Sequence, residues 1–404
     1  MNPNEVLRIV DAIHRDKRIA KEIVFVGIEA AIVAAVRRQY GEEAVVKIQV
    51  NRETGEITGS CNDEPIATSE LAERIGAQNA KQVMIQKIRE AERDAIFDEN
   101  YSQINQLVAG SVDKIEGSNI IISLPGVVAV LSRAERIPGE SFRIGDRIRA
   151  IVIDVVKKGN RVNVILSRIR PIFVQKLFEQ EIPEIQDAII EIKGISREPG
   201  FRTKIAVYSS DQRIDCVGAC IGMRGNRIKN ITDELNNERI DVVPWNTDLQ
   251  LFIQDALKPA EVEEVILCSM LGRAIVLVKQ DNRSLAIGRR GQNVRLASRL
   301  VGWDIEIMTR EDLEELLEKA VEGYMLIDGI TSDIADRLVG EGFLSFDDLS
   351  IIEPDDLVQI GEISMEQAAS IIQQAEEFAQ KEEEFKSATK NNDDDNSKKE
   401  SDDE

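Results

Sequence analysis

Ile221-Gly222-Met223-Arg224-Gly225-Asn226-Arg227 and Ile287-Gly288-Arg289-Arg290-Gly291-Gln292-Asn293 are two copies of one short pattern, with their first glycines 66 positions apart. Each copy follows a short apolar segment, Val217-Gly218-Ala219 or Leu285-Ala286. Each opens a helix-like run, Asn226 to Leu235 or Gln292 to Leu300, and an extended segment comes next, Arg239 to Trp245 or Trp303 to Met308. A glycine has no Cβ, so it accepts backbone angles closed to other residues and lets a second backbone come close. Two glycines around a dipeptide make a tight loop between helices. The second helix starts there, so its free N–H groups and positive dipole end face the loop. Such a loop is an anion site suited to a phosphate.

The surrounding charges agree. From Arg283 to Arg299 there are five arginines and no acid, and from Ile221 to Lys229 three basic residues and no acid. A lone Gly-x-x-Gly is usually a turn. Two copies in matching helix–loop–helix–strand contexts resemble the KH domain, which clamps about four nucleotides with such a loop. The residues expected to bind RNA are Gly222, Met223, Arg224, Gly225, Arg227 and Lys229 in the first copy. In the second they are Gly288, Arg289, Arg290, Gly291, Gln292, Asn293 and Arg295.

Outward from this stretch, 404 residues at about 150 per domain suggest roughly three domains. Aromatics make up only 4% of the chain, so nucleic-acid contacts must rest on backbone, arginine and aliphatic groups more than on stacking. No apolar run approaches the roughly 18 residues that a membrane span requires, so no membrane partner is expected. The start, Met1 to Glu5, does not read as a signal peptide, and the cytosol is the expected compartment. The four cysteines make no disulfide framework, and Cys216 and Cys220 have no second pair to complete a zinc site. His14 is the only histidine, which removes histidine-based triads and multi-histidine metal sites. With no nucleotide-binding, metalloprotease or hydrolase motif, neither catalysis, nor a metal, nor a cofactor is expected.

The net charge of −22 looks hostile to nucleic acid, but its distribution is uneven. Residues 311 to 404 hold 29 acids and 7 bases, while residues 1 to 310 hold 44 of each. A neutral body with basic patches thus carries an acidic end. A short hinge at Thr309 to Val321 would let that end reach Arg289, Arg290 and Arg295 and compete with RNA.

Read in order, residues 1 to 41 predict two helices, one with Val6, Ile9, Val10 and Ile13 on a face, the other with Phe25, Ile28, Ile32 and Val36. Val46 to Val50 alternates as a strand and turns through Asn51 to Gly55 into Glu56-Ile57-Thr58. A long helix follows over Ser69 to Phe97, with Met84, Ile88, Ala91 and Ala95 as its stripe. Five strand candidates, Gly110–Ile115, Asn119–Leu124, Val127–Leu131, Arg147–Val156 and Arg161–Ser167, suit a small OB-type barrel in which Phe142 is the only aromatic. The two Gly-x-x-Gly units are expected to pack as one rigid surface. Residues 311 to 380 read as an acidic helical pair with hairpin-like turns at Ile327–Ile330 and Gln359–Ile363. Too few cations lie there for phosphate binding. Residues 381 to 404 read as disordered.

Longer segments carry a more specific resemblance. Arg213-Ile214-Asp215-Cys216-Val217-Gly218-Ala219-Cys220-Ile221-Gly222-Met223-Arg224-Gly225, Glu238 to Trp245, Ala286 to Ala297 and Lys81 to Arg93 are similar to the NusA family of bacterial transcription elongation, termination and antitermination factors. The resemblance implies a multidomain α+β protein with six parts. These are an RNA polymerase-binding domain with connector helix (1–105), an RNA-binding OB barrel (106–170), two tandem type II KH domains (171–247 and 248–310), an acidic helix-hairpin-helix-like module (311–380) and a tail (381–404). It also implies RNA polymerase core, single-stranded nascent RNA and other Nus-type elongation factors as partners. The alternative is a KH/OB protein of RNA processing or ribosome assembly. Co-purification with polymerase or with the small ribosomal subunit separates the two.

Overall fold

The computed structural model describes residues 3–17, 20–41, 43–62, 64–66, 78–159, 161–211 and 213–399. The fold divides into two compact units, residues 1–177 and 178–404.

The first unit opens with two helices, α1 (Pro3–Lys17) and α2 (Lys21–Tyr40). Phe25, Ile28, Ile32 and Val36 of α2 are all buried with Val6 and Val10 of α1, whereas Ile9 and Ile13 are only half-buried and His14 is exposed. The hairpin of β1 (Val46–Val50) and β2 (Ile57–Cys61) pairs Val50 with Ile57. Its turn is tied by Asn51, whose side chain accepts the N–H groups of Glu53 and Thr54. A short β3 (Glu64–Pro65) extends this sheet. Helix α3 (Gln78–Tyr101) ends four residues beyond the predicted Phe97. The expected start at Ser69 and the side chain of Met84 lie outside the described residues. Ala91 of the predicted stripe is buried and Ile88 half-buried, but Ala95 is exposed.

The five predicted strands form a closed barrel of β4 (Leu107–Glu116), β5 (Asn119–Leu124), β6 (Val127–Leu131), β7 (Arg147–Lys158) and β8 (Arg161–Ser167), in the order β4-β5-β6-β8-β7. All neighbours are antiparallel except β6 and β8. Bulges at Val112/Lys114 and Val152/Asp154 let so small a barrel curve shut. Phe142 packs against this barrel's core and is itself only partly buried.

The second unit, together with helix α4 (Pro171–Glu181) in which the division falls, repeats one order twice. After α4 and a short α5 (Pro183–Gln186), β9 (Glu191–Glu198) pairs antiparallel with β10 (Arg202–Tyr208). Helices α6 (Cys216–Ile221) and α7 (Asn226–Glu234) follow, and β11 (Arg239–Pro244) returns parallel to β10. The second copy runs α8 (Leu249–Leu257), antiparallel β12 (Glu264–Cys268) and β13 (Arg273–Leu277), α9 (Gln280–Ile287), α10 (Gln292–Val301) and β14 (Asp304–Met308), parallel to β13. This is the tandem KH arrangement expected from the sequence. The copies share a core, since Ala206 and Val243 of the first join Phe252, Ile253, Ala274 and Val276 of the second.

Residues 310–399 depart from the sequence reading. They form five helices, not a pair: α11 (Arg310–Tyr324), α12 (Ser332–Gly340), α13 (Phe346–Ser350), α14 (Pro354–Gly361) and α15 (Met365–Lys399). The expected hinge is α11, started by a capping box of Thr309 and Asp312. Leu313 of α11 and Leu344 pack on Cys268, Ile275, Leu277 and Met308 of the second KH sheet. Arg273 of β13 pairs with the buried Asp348 at 2.6 Å. Gly342, at φ +93°, sits where a Cβ would lie 2.2 Å from the Cys268 sulfur, so only glycine allows this close an approach. The predicted tail is helical to Lys399. A low apolar content describes a solvated helix as well as a disordered chain, and the Glu- and Lys-rich run after Gln380 has good helix propensity. Among the described residues, no helix is long and apolar enough to cross a membrane.

One buried ion pair anchors the first KH domain. Arg197 and Glu238, both with fully buried side chains, form two hydrogen bonds of 2.9 Å, and Glu238 also accepts from Thr203 and from the Gly200 N–H. Removing one partner leaves an uncompensated buried charge. We expect Glu238→Ala to lose about 3–5 kcal/mol in chemical denaturation, and more than Glu238→Gln.

Candidate nucleic-acid interface

The two Gly-x-x-Gly loops have nearly the same backbone. Gly222 and Gly288 sit at φ/ψ of 74°/174° and 75°/170°, Arg224 and Arg290 at 54°/24° and 55°/33°, Gly225 and Gly291 at 75°/15° and 71°/15°. The first glycine of each loop therefore occupies a region open essentially to glycine alone. The arginine in the third position pays the left-handed penalty in both copies. Neither α7 nor α10 has a side-chain cap at its N-terminus, so the helix starts keep their positive ends toward the loop.

The predicted site residues fall into two groups. Met223, Arg224, Lys229, Arg289 and Arg290 are exposed, Met223 at 88%. Among the described residues, the side chains of Arg224, Lys229, Arg289 and Arg290 carry neither a hydrogen bond nor an ion pair. Those four cations are available to phosphate.

The other group holds the loops in place. Arg227 reaches back from α7 to Glu184 at 3.0 Å and to the Ala219 carbonyl at 2.7 Å. Asn293 is buried and donates to the carbonyls of Leu257 and Ala286 at 2.9 and 3.1 Å. Both occupy the fifth position after the first glycine, and both fill the space beside it. A Cβ on Gly222 would lie 2.8 Å from Arg227 Cγ, and one on Gly288 would lie 2.8 Å from the Asn293 nitrogen. Gln292 and Arg295 are engaged as well, although the Arg295 side chain stays 44% exposed. Both bond the carboxylate of Glu198, at the end of β9 in the first copy, at 2.7 and 2.8 Å. Arg295 also reaches the Arg290 carbonyl at 3.4 Å.

The helix that follows the second loop is therefore tied to the first copy through Glu198, a residue that the sequence pattern does not point to. Its partners come from 94 and 97 positions away, beyond the reach of any local signal. The seam is tightened where Gly194 admits Leu300 of α10 and where the buried Lys204 bonds Asp241 and the Lys258 carbonyl. Burial, with the nearby Arg202 charge, pulls the Lys204 ammonium down to about 8 against the opposing pull of Asp241. The acidic helices do not cover the free cations. Among the described residues, their one ion pair with the basic stretch is Asp312 to Arg283 at 2.9 Å, and Arg295 is taken by Glu198.

Cys216 and Cys220 lie on α6 directly before the first loop. Burial raises both thiols, Cys220 to about 12, so neither is a reactive thiolate at neutral pH. Among the described residues, no cluster of His, Cys, Asp and Glu could hold a metal ion.

Comparison with known proteins gives three family-model matches: the NusA N-terminal domain over residues 5–70, the NusA-like first KH domain over 168–245 and the NusA-like second KH domain over 249–315. The transcription termination/antitermination protein NusA of Rickettsia conorii (strain ATCC VR-613 / Malish 7) is 40% identical over 341 residues, covering 76% of this chain and 68% of that protein. The protein of the same name from Rickettsia prowazekii (strain Madrid E) is 37% identical over 405 residues, covering 91% of this chain and 80% of that one. A solved structure described as APE1850 is 23% identical over 34% of this chain and 95% of its own, with a TM-score of 0.27, too low to carry an argument.

The seam makes a pH prediction. Burial works to raise the Glu198 pKa, but the hydrogen bonds from Gln292 and Arg295 and the charges of Arg295 and Arg299 outweigh it and hold the carboxyl below its usual range. A depressed carboxylate stabilises the fold above its unfolded pKa and loses that contribution as pH falls through the folded value. Thermal melting should therefore show an acid-induced loss beginning below the usual glutamate value of 4.5, and Glu198→Gln should reduce it.

Proposed function

The chain belongs to the NusA family of transcription termination/antitermination proteins, and from that premise we propose a non-enzymatic elongation factor that bridges RNA polymerase core and nascent single-stranded RNA. It modulates pausing, termination and antitermination and works beside other Nus-type factors. The observation that carries the RNA half is the pair of loops with matching backbone, each presenting free cations on a fixed frame. The six-part division given under the sequence is the proposed modular plan, with residues 1–105 on the polymerase and the barrel as an accessory RNA contact. The cytoplasm is the proposed compartment.

The geometry narrows the proposed RNA-contacting set. Arg224, Lys229, Arg289 and Arg290 meet phosphates. The four glycines and the exposed Met223 bring the ligand backbone close. Arg227, Gln292, Asn293 and Arg295, expected from the sequence to touch RNA, act here as struts that set loop geometry.

Replacing Arg289 and Arg290 together by Asp puts acids where phosphates belong. A large loss of affinity for unstructured single-stranded RNA is expected, with the melting temperature unchanged because both side chains are exposed. Wild-type affinity should fall steeply with salt, and the double variant's residual binding less so, because each phosphate contact releases counterions. Wild-type affinity in the double variant at matched salt refutes the loop assignment. For the polymerase half, residues 1–105 should retain RNA polymerase core in a pull-down. A fragment of residues 106–404 that keeps all of that binding refutes the placement.

A further inference from the structure

Glu198-Pro199-Gly200-Phe201 connects β9 and β10. Proline in the second position and glycine in the third, at φ +79°, are the chemistry of a type II turn, closed here by the Phe201 N–H donating to the Glu198 carbonyl at 3.0 Å. Few turns are held so firmly. From beneath, the buried Glu238 accepts the Gly200 N–H at 2.8 Å. Alongside, the Arg239 N–H donates to the Phe201 carbonyl at 3.1 Å. From the second KH domain, Gln292 and Arg295 grip the Glu198 carboxylate.

The ring that this turn carries is left in water. Phe201 is 64% exposed, and among the described residues the other phenylalanines are buried or half-buried. Neither its backbone nor the turn needs an aromatic there. The Arg239 side chain beside it is 64% exposed and pairs with Asp241 at 3.6 Å, and Arg295, which holds the turn's first residue, also touches the backbone of Arg290 in the second Gly-x-x-Gly loop. A flat apolar face on a rigid support, linked through Arg295 to the loop that carries the exposed Arg289 and Arg290, is the build of a base-stacking platform. A phenylalanine has only two side-chain torsions to fix, so little freedom is lost when a base lands on it.

We propose that Phe201 stacks a base of the single-stranded RNA held by the second Gly-x-x-Gly loop, making the junction of the two KH domains a contact point of its own. The site rests on the RNA-binding reading above and adds an aromatic contact to it.

The test uses the full chain and an unstructured single-stranded RNA of about a dozen nucleotides, enough for two sites of about four each. Phe201→Ala should weaken binding roughly ten-fold, within the range for loss of one base–aromatic stack. Phe201→Leu should weaken it as much, because it restores bulk without a π face. Phe201→Trp should bind at least as tightly as wild type, with its indole fluorescence quenched by RNA and not by salt alone. Unchanged affinity in Phe201→Ala, while the Arg289→Asp/Arg290→Asp double variant fails to bind, overturns the stacking site and leaves the RNA reading standing. Recovery by Phe201→Leu assigns plain packing and also overturns it. Wild-type binding by the double variant removes the RNA reading, and this inference with it.

Discussion

The proposed RNA-facing surface depends on two backbone conformations, those of Gly222 and Gly288. Each ends one helix at φ near +75° with ψ near 170°, where an L-residue's side chain would collide with its own backbone. Space around them is closed as well as angle. The residue five positions on, Arg227 or Asn293, leans against the missing Cβ and is itself tied to the carbonyl of Ala219 or Ala286 on the preceding helix. Glycine, strut and helix end form one locked unit in each copy. The following dipeptide, Met223-Arg224 or Arg289-Arg290, is pushed out into solvent as a consequence. The exposed cations thus come from packing beneath the loop, with no contact needed above it.

This explains which parts of the site could be read from the sequence. The glycines, the strand that follows each helix and the basic run are local, and the repeat at 66 positions aligns them. The division of labour among the polar residues is not local. Arg227 and Arg224 look alike in a string of letters, as do Asn293 and Gln292. What separates Arg227 from Arg224 is Glu184, what buries Asn293 is the Leu257 carbonyl, and what captures Gln292 and Arg295 is Glu198. Aligning the two copies gives the one available hint. The fifth position carries Arg in one and Asn in the other, so a shared phosphate contact is a poor account of it and a shared structural position a better one.

The acidic end shows the opposite failure. Its composition, taken alone, suggests a loosely attached tail. The strands it packs on carried a contrary signal. Arg273-Ala274-Ile275-Val276-Leu277 is apolar without alternation, which suits a strand covered on both faces. Ala274 and Val276 face the KH helices, while Ile275 and Leu277 face α11 and Leu344. A two-sided strand demands a second cover, and Leu313, Leu344 and the Arg273–Asp348 pair supply it. Charge counting treats residues 311–404 as one block. Packing shows that their first part is a second layer of the KH sheet.

Rigidity between the two loops then decides how RNA must be read. If the copies were joined by a flexible linker, each would bind independently, and the second event would gain only from an effective concentration set by that linker. Here no linker exists. Trp245 touches Phe252 with ring centroids 6.5 Å apart, Ala206 and Val243 sit in the second copy's core, and Glu198 joins strand β9 to helix α10. The ordering of one loop against the other is fixed during folding, so RNA binding does not have to supply it. On the proposed reading, two clamps of about four nucleotides each therefore form one site with a fixed spacing. The fixed spacing follows from how the two copies pack.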